Sequence, residues 1–391
     1  MIRISKNQNG YSLVELSIVL VIIGVIGFFS VKFISQIGQQ TLNEKFKNDL
    51  EMADAAISGF VYANSRLPCP DVTSPPDGIE DCGSINNNQG SLPVKTLGIE
   101  SSLQKQRGGQ IRYASFRNNN ADALLDTDLS SLKDRYEPFL PNSETSTQSN
   151  GLDFCLALRT ASRSTIPLNN QVNILTRTPG VFINVAYAIA DSGAIDANND
   201  GNLFDGSNAA GLAFERPKAS HLNNYDDNVK AVGFNELAGR LKCAKLLSET
   251  NGAARASFAA YDMWQVSTMY KDYRYFHVHY LEIMVEIAES KFALATAALV
   301  LSLLSTGLAV ANAILTGGTS TIVGAALAAA ASIDAIIAEA LAVSDLDSAR
   351  ESLTAGIAQR TEAIATWNES ATFKDTKLAI VKALDLKGLI R

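Results

Sequence analysis

A carboxylate in an apolar run is the first residue whose placement demands chemistry. Glu15 stands between Leu13-Val14 and Leu16-Ser17-Ile18-Val19-Leu20, five residues after Gly10. A charge inside a membrane-length helix is costly unless it meets a partner, so Glu15 reads as a docking group. A second set is Asp196, Asn198, Asp200 and Asp205, oxygen side chains spaced around the turn residue Gly201. Hard oxygen donors of this kind suit calcium. The segment begins like an EF-hand loop, but Ser207 stands where the closing bidentate Glu belongs. A solvated Asx-rich turn accounts for the same residues. Catalytic sets are absent from the pattern. His277 and His279 are two apart, which on a helix turns their rings to different faces, and His221 is remote from both. No phosphate loop or nucleophile elbow is present, and no enzyme is expected.

The elements that position these residues follow from composition. The 391 residues are 47% hydrophobic but only 19% charged, below the usual quarter, so long stretches carry no charge. Two do: Leu16–Val31, and the forty-two residues Phe292–Ile333. The net charge of −7 argues against a polyanion partner, and no nucleic acid is expected.

The first stretch follows a leader, residues 1–10, with Arg3 and Lys6 as its charges. From Ser12 to Val31 the chain is long enough to span about 30 Å as a helix, one hydrocarbon thickness. The basic leader keeps the N-terminus cytoplasmic. Gly10, Tyr11, Ser12, Leu13, Val14 and Glu15, followed by this helix, resemble the precursor box of the type IV pilin and type II secretion pseudopilin family. The resemblance implies cleavage between Gly10 and Tyr11 by a prepilin peptidase and N-methylation of Tyr11. It also implies pairing of Glu15 with the N-terminal amine of a neighbouring subunit. Lys32 stands where major pilins carry a kinking proline, which points to a minor component. Loss of the leader takes the formal charge from −7 to −9. Beyond the membrane, Leu42, Phe46, Leu50, Ala53, Ile57, Phe60 and Val61 form an apolar face up to Pro68 and Pro70, completing an assembly helix over 11–66.

A mixed α/β head is expected over 67–248, with strands at Gln110–Phe116, Leu152–Leu158 and Val181–Ala190 between Asn-, Ser- and Gly-rich turns. Leu67–Asp71, Gly90–Gly98, Ile111–Ala114, Ala186–Ala190 and Tyr225–Asp227 resemble a large-headed minor-pilin subgroup. The head would lie outside the cytoplasm, where disulfides persist. Cys69, Cys82, Cys155 and Cys243 admit three pairings. Cys69 with Cys82 closes a Pro/Gly/Asp loop, and Cys155 with Cys243 ties a strand to the head's end; this is the favoured arrangement. Pseudopilins include calcium-stabilised loops, which keeps calcium as the one candidate cofactor, at Asp196, Asn198, Asp200 and Asp205.

Residues 249–391 read as an α-helical hairpin. Val266, Met269, Tyr273, Phe276, Tyr280, Ile283 and Ile287 have the spacing of an a/d seam. A fold about Gly318 sets Val266 opposite Ser370 and Lys291 opposite Asp345, with roughly fifty residues, about 75 Å, per arm. The apolar tip, 292–343, admits three readings: close packing of small residues, two membrane passes, or a tip that touches a membrane. Asp334 and Glu339 count against membrane passes. The whole is an α+β chain: a pilin-like long N-terminal helix, a mixed α/β head and an all-α hairpin domain. The expected protein is a minor pilin or pseudopilin subunit near the tip of a type IV pilus or type II secretion-like filament. Its precursor sits in the inner membrane with a periplasmic head and then joins a periplasmic or extracellular filament. Its partners are other pilins, the prepilin peptidase and a surface or membrane target for the arm, which serves interaction or adhesion. The competing reading is a toxin-like or enzymatic effector on a pilin anchor.

Overall fold

The computed structural model describes residues 13–99, 111–122, 125–138, 149–163, 171–178, 180–193, 195–219, 224–316 and 319–389, of which 29–43, 314–316 and 319–322 as backbone. It divides into two compact units, residues 1–250 with 384–391, and residues 251–383. The first is the head with its N-terminal helix; the second is a helical arm.

Helix α1 (Leu13–Asn64) is continuous through its apolar and amphipathic halves. In the second half Phe46, Leu50, Ala53, Ile57 and Val61 recur at spacings of three and four, and all are buried. Fully burying such a side chain stabilises by about 1.5–3 kcal/mol. The helix stops before its prolines. Ser65 takes a left-handed conformation (φ 54°) and its N–H bonds to the Val61 carbonyl at 2.9 Å, a C-terminal cap.

The core of the head is an antiparallel sheet of β1 (Gln89–Ser91), β2 (Ile111–Ser115), β5 (Tyr187–Asp191) and β7 (Asn228–Val232), in the order β1-β2-β5-β7. Tyr113 pairs with Ile189, and Ile189 with Lys230. A second sheet runs β4-β3-β6, from β3 (Asn173–Leu175), β4 (Phe182–Asn184) and β6 (Ala213–Phe214); β3 is antiparallel to β4 and parallel to β6. The expected single strand Val181–Ala190 is therefore two strands in two sheets. The chain crosses at Val185 and Ala186, whose N–H groups bond to Val172 and Val232. Helix α3 (Phe234–Arg240) packs Phe234 edge-on to Phe116, with centroids 4.9 Å apart.

Leu152–Leu158, expected as a strand, lies in helix α2 (Gly151–Arg163). The cause is a reciprocal cap. The Asn150 side chain accepts the Leu152 N–H at 2.7 Å, while Asp153 accepts the Asn150 N–H at 2.7 Å. Phe154, Cys155, Leu158 and Ala161 are buried at helical, not alternating, spacing. The Cys155 bond thus ties a helix, not a strand, to the end of the head.

The arm consists of most of α4 (Cys243–Thr316) and α5 (Thr319–Lys387), joined through Gly317 and Gly318, which lie outside the described residues. Each arm is longer than expected, about 100 Å at 1.5 Å per residue, because the helical phase starts well before Val266. The last residues of α5 belong to the head. Pairs across the seam are Ser267 with Ser370 (2.6 Å), Glu289 with Arg350 (2.9 Å) and Thr306 with Ser332 (2.6 Å), all within about a turn of a fold at Gly318. The expected a/d residues do not form this seam. Val266, Met269, Tyr273, Phe276, Tyr280, Ile283 and Ile287 are 42–70% exposed. A second heptad stripe takes their place, with Ser257, Ala260, Ser267, Val278 and Ala288 buried on α4, and Ala342, Leu346 and Ala363 on α5. Small residues win because they let the backbones approach. A Cβ added at Gly356 would come 2.6 Å from Leu281 Cδ1.

Candidate assembly site

Glu15 lies in the first turn of α1, where a carboxylate also complements the helix dipole. The segment around it is apolar on every side. Within the head unit, the large hydrophobics from Leu13 to Phe28 are 49–86% exposed. A helix hydrophobic all round belongs in a bundle or a bilayer, not in water. Gly10 and Tyr11, the leader junction, lie outside the described residues.

Besides its buried apolar face, the helix meets the head through a buried charge that the sequence pattern does not flag. Asp54, 7% exposed, sits on the core-facing side of α1. It accepts the Tyr187 hydroxyl of β5 and is bridged by Arg240 of α3 at 3.0 Å and Lys230 of β7 at 2.9 Å. Burial pushes its carboxyl up. The bonds from Tyr187, Lys230 and Arg240 outweigh that and hold it below the ordinary carboxylate value. Burial and the Asp54 charge together push the Tyr187 hydroxyl up. One carboxylate thus joins α1 to two strands and a helix. The signal was an acidic residue on the apolar face of an amphipathic helix.

The cysteines pair as Cys69–Cys82 and Cys155–Cys243. Beside the first, Glu80 takes a two-pronged bond from Arg66 (2.6 and 2.7 Å) and the Cys69 N–H. Burial raises Glu80, but Arg66 and the Cys69 amide bring it below its usual value. The second bond joins α2 to the first residue of α4.

The oxygen-rich loop splits the four candidate calcium ligands. Asp196 accepts the N–H groups of Asp200 and Gly201, and Asn198 and Asp200 accept those of Asp200 and Asn202. These three side chains hold their own loop in nested Asx turns. Asp205 also accepts a loop N–H, that of Asn198 at 3.2 Å, but is fully buried and meets Asp226 and Asp227, with one oxygen of each within 4.8 Å of the others. Asp227 is 2% exposed. One of its oxygens accepts the Asp205 N–H and Asn208 Nδ2, both at 2.9 Å, and the other, Oδ1, has no hydrogen-bond partner. Burial raises its carboxyl to about 7, with Asp205 and Asp226 adding repulsion that the two hydrogen bonds only partly offset. Three crowded carboxylates fit a hard divalent cation better than the loop does. Asp226 and Asp227 were legible as part of Tyr225-Asp226-Asp227, but their approach to Asp205 depends on the fold.

Elsewhere, a groove lined by Asn86, Asn88, Arg117, Asn118 and Gln171 offers amides and a guanidinium. Arg117 is spent on Asp128 and the Ser84 carbonyl, and among the described residues no nucleophile–base pair lines the groove. His277 stacks on Tyr273, with centroids 5.9 Å apart, and His279 lies 3.5 Å from Glu282. His221 lies outside the described residues.

An exposed apolar helix with a carboxylate in its first turn, docked on a disulfide-bonded α/β head, is consistent with membrane anchoring of the chain through that helix. Residues 5–30 match the family described as the prokaryotic N-terminal methylation motif, the prepilin signal of type IV pilins and pseudopilins. The motif implies processing by a prepilin peptidase and assembly with other pilins. No curated protein and no solved structure matches the chain.

Proposed function

We propose that the chain is a minor pilin or pseudopilin-type subunit, placed near the tip of a type IV pilus or type II secretion-like filament. Its helical arm is an interaction or adhesion module, and it has no catalytic role. The observation that carries this reading is Glu15 in the first turn of an all-round apolar helix, inside the methylation motif. After cleavage at Gly10, the new Tyr11 ammonium of one subunit neutralises Glu15 of the next, within an apolar bundle where an unpaired charge is unfavourable. An arm of about 100 Å is awkward to repeat along a filament, which supports a low-abundance place at its end. Exposed Met269, Tyr273, Phe276 and Tyr280, flanked by Asp272, Glu282 and other polar residues, form a one-sided stripe suited to a protein partner.

The test is the Glu15→Val variant. It should reach the membrane and be cleaved, yet be lost from sheared filaments. Incorporation at the wild-type level would overturn the assembly role, and a mature chain that keeps Met1 without methylation would overturn the pilin reading itself. A membrane-active effector on the same anchor is the second reading, and the arm's tip bears on it.

A further inference from the structure

The end of the arm is built inside-out. From Leu294 to Val310 on α4, and from Val323 to Leu341 on α5, the outward positions are Leu, Ile, Val and Ala around most of the circumference. Leu294, Leu301, Leu308 and Leu327 are 67–72% exposed. Between the helices lie small and hydroxyl side chains. A two-stranded coiled coil stable in water does the reverse, putting Leu in the seam and charge outside. Helices packed in hydrocarbon show this order: small residues at the contact, large apolar ones facing lipid.

The hydroxyls are accounted for. Thr306 Oγ1 donates to the Ala328 carbonyl at 2.8 Å and lies 2.6 Å from Ser332 Oγ. Ser332 also reaches the Ser302 carbonyl at 3.2 Å, and Ser302 and Ser305 bond within their own helix at 2.8 Å. Such satisfaction is what a non-aqueous surrounding requires. The carboxylate of Glu339, which counted against membrane entry in the sequence, is only half-exposed and accepts from Thr296 on the other helix at 3.2 Å.

The dimensions agree. The first charge below the turn is Asp334 on α5, about 25 Å from it, and Lys291 on α4, about 40 Å from it. A hydrocarbon core is about 30 Å thick. Each helix carries an 18-residue window of mean hydropathy 2.0 or 1.9, almost none of it buried. A protein partner would need one stripe with a polar rim, like the stripe at Met269–Tyr280. Here the apolar surface goes round most of the hairpin, which matches a bilayer better than a single one-sided partner.

We propose that the apolar end of the arm, residues 304–313 of α4 with 323–333 of α5, inserts into the hydrocarbon of a lipid bilayer. This rests on the arm alone and stands whether or not the chain enters a filament.

All described cysteines are in disulfides, so a single introduced cysteine is a unique label site. Full-length chain with Leu308→Cys or Leu327→Cys, both about 14 Å from the turn, would be labelled with an environment-sensitive fluorophore. It would then be reconstituted into phosphatidylcholine–phosphatidylglycerol vesicles. A Leu20→Cys label in α1 verifies reconstitution, and Glu282→Cys marks the aqueous part of the arm. Tip labels should be quenched several-fold more by lipid-borne doxyl groups than by aqueous iodide, as at Leu20, with the opposite order at Glu282. Leu304→Lys with Leu308→Lys, both at exposed positions inside the proposed segment, should abolish the doxyl quenching at Leu327 while helicity is unchanged. Iodide-accessible tip labels in vesicles where Leu20 is lipid-quenched would overturn the proposal. So would labels shielded from both quenchers, which would mean that protein covers the tip.

Discussion

The two disulfides close chain segments of very different length, and their removal should cost the head unequal amounts. Cys69 and Cys82 are 13 residues apart, and Cys155 and Cys243 are 88 apart. On the chain-entropy relation, the short ring withholds about 3 kcal/mol from the unfolded state and the long ring about 4.6 kcal/mol. Cys155 and Cys243 are both buried, whereas Cys82 is exposed. The alanine pair at 155 and 243 therefore adds a small packing loss, widening the gap. The measurement should report on the head alone. Trp264 and Trp367 both lie in the arm, so tryptophan fluorescence follows the arm, while hydrogen exchange of β2 and β5 peptides across a urea series follows the head. Cys155→Ala/Cys243→Ala should lower the head's stability by about 2 kcal/mol more than Cys69→Ala/Cys82→Ala. The arm's fluorescence transition should stay in place. Equal losses, or the larger loss from the short ring, would refute the entropy argument. A tryptophan transition moving in step with the head would refute the independence of the two units.

Asp227 makes the head pH-sensitive in an unusual direction. Its folded pKa of about 7 lies above the ordinary 3.8, so the folded head holds a proton that the unfolded chain loses first. Its contribution should fall as pH rises from about 4 to 7 and stay flat above. In chelator, Asp227→Asn should melt above the wild type at pH 8 and match it at pH 4; a lower melting temperature at both would defeat this account. Added calcium at pH 8 should stabilise the wild type but not the variant, and no calcium effect on the wild type would remove the cation from Asp205, Asp226 and Asp227. At Gly151, an added Cβ would lie 2.1 Å from Leu389 Cγ and 2.7 Å from its backbone nitrogen. Gly151→Ala should cost about 1–3 kcal/mol and speed amide exchange at 384–389. Unchanged exchange there would show that the contact holds nothing.

Long periodic segments were legible because a 3.6-residue repeat sustained over dozens of residues has few competitors. The apolar helix with Glu15 and the paired arms about Gly318 are of this kind. Three-residue strands such as β3 and β4 carry too little pattern to be read. Leu152–Leu158 misled because Leu152, Phe154, Leu156 and Leu158 alternate like a strand, while the deciding cap at Asn150 and Asp153 lies at its edge. The arm's seam misled for another reason: α4 carries two heptad stripes, and side-chain size rather than hydrophobicity chose between them. At the sites, Asp196–Asp205 was legible as acidic. The burial of Asp205 against Asp226 and Asp227 is set by a fold that brings those two alongside. Asp54 was passed over because its neighbours on α1 advertised a plain apolar face.

Helix α2 has a mechanical role that its modest length conceals. Cys155 holds the root of the outgoing α4 covalently. One turn earlier, Gly151 and Asn150 receive the end of the returning α5, Asn150 donating to the Asp385 side chain at 3.0 Å. A pull on the two roots of the arm would meet the head at adjacent turns of one helix, through a sulfur–sulfur bond at Cys155 and through breakable contacts at Asn150 and Gly151. Load would first peel the α5 root while the α4 root holds, so the clamp would yield in stages rather than tear the sheet.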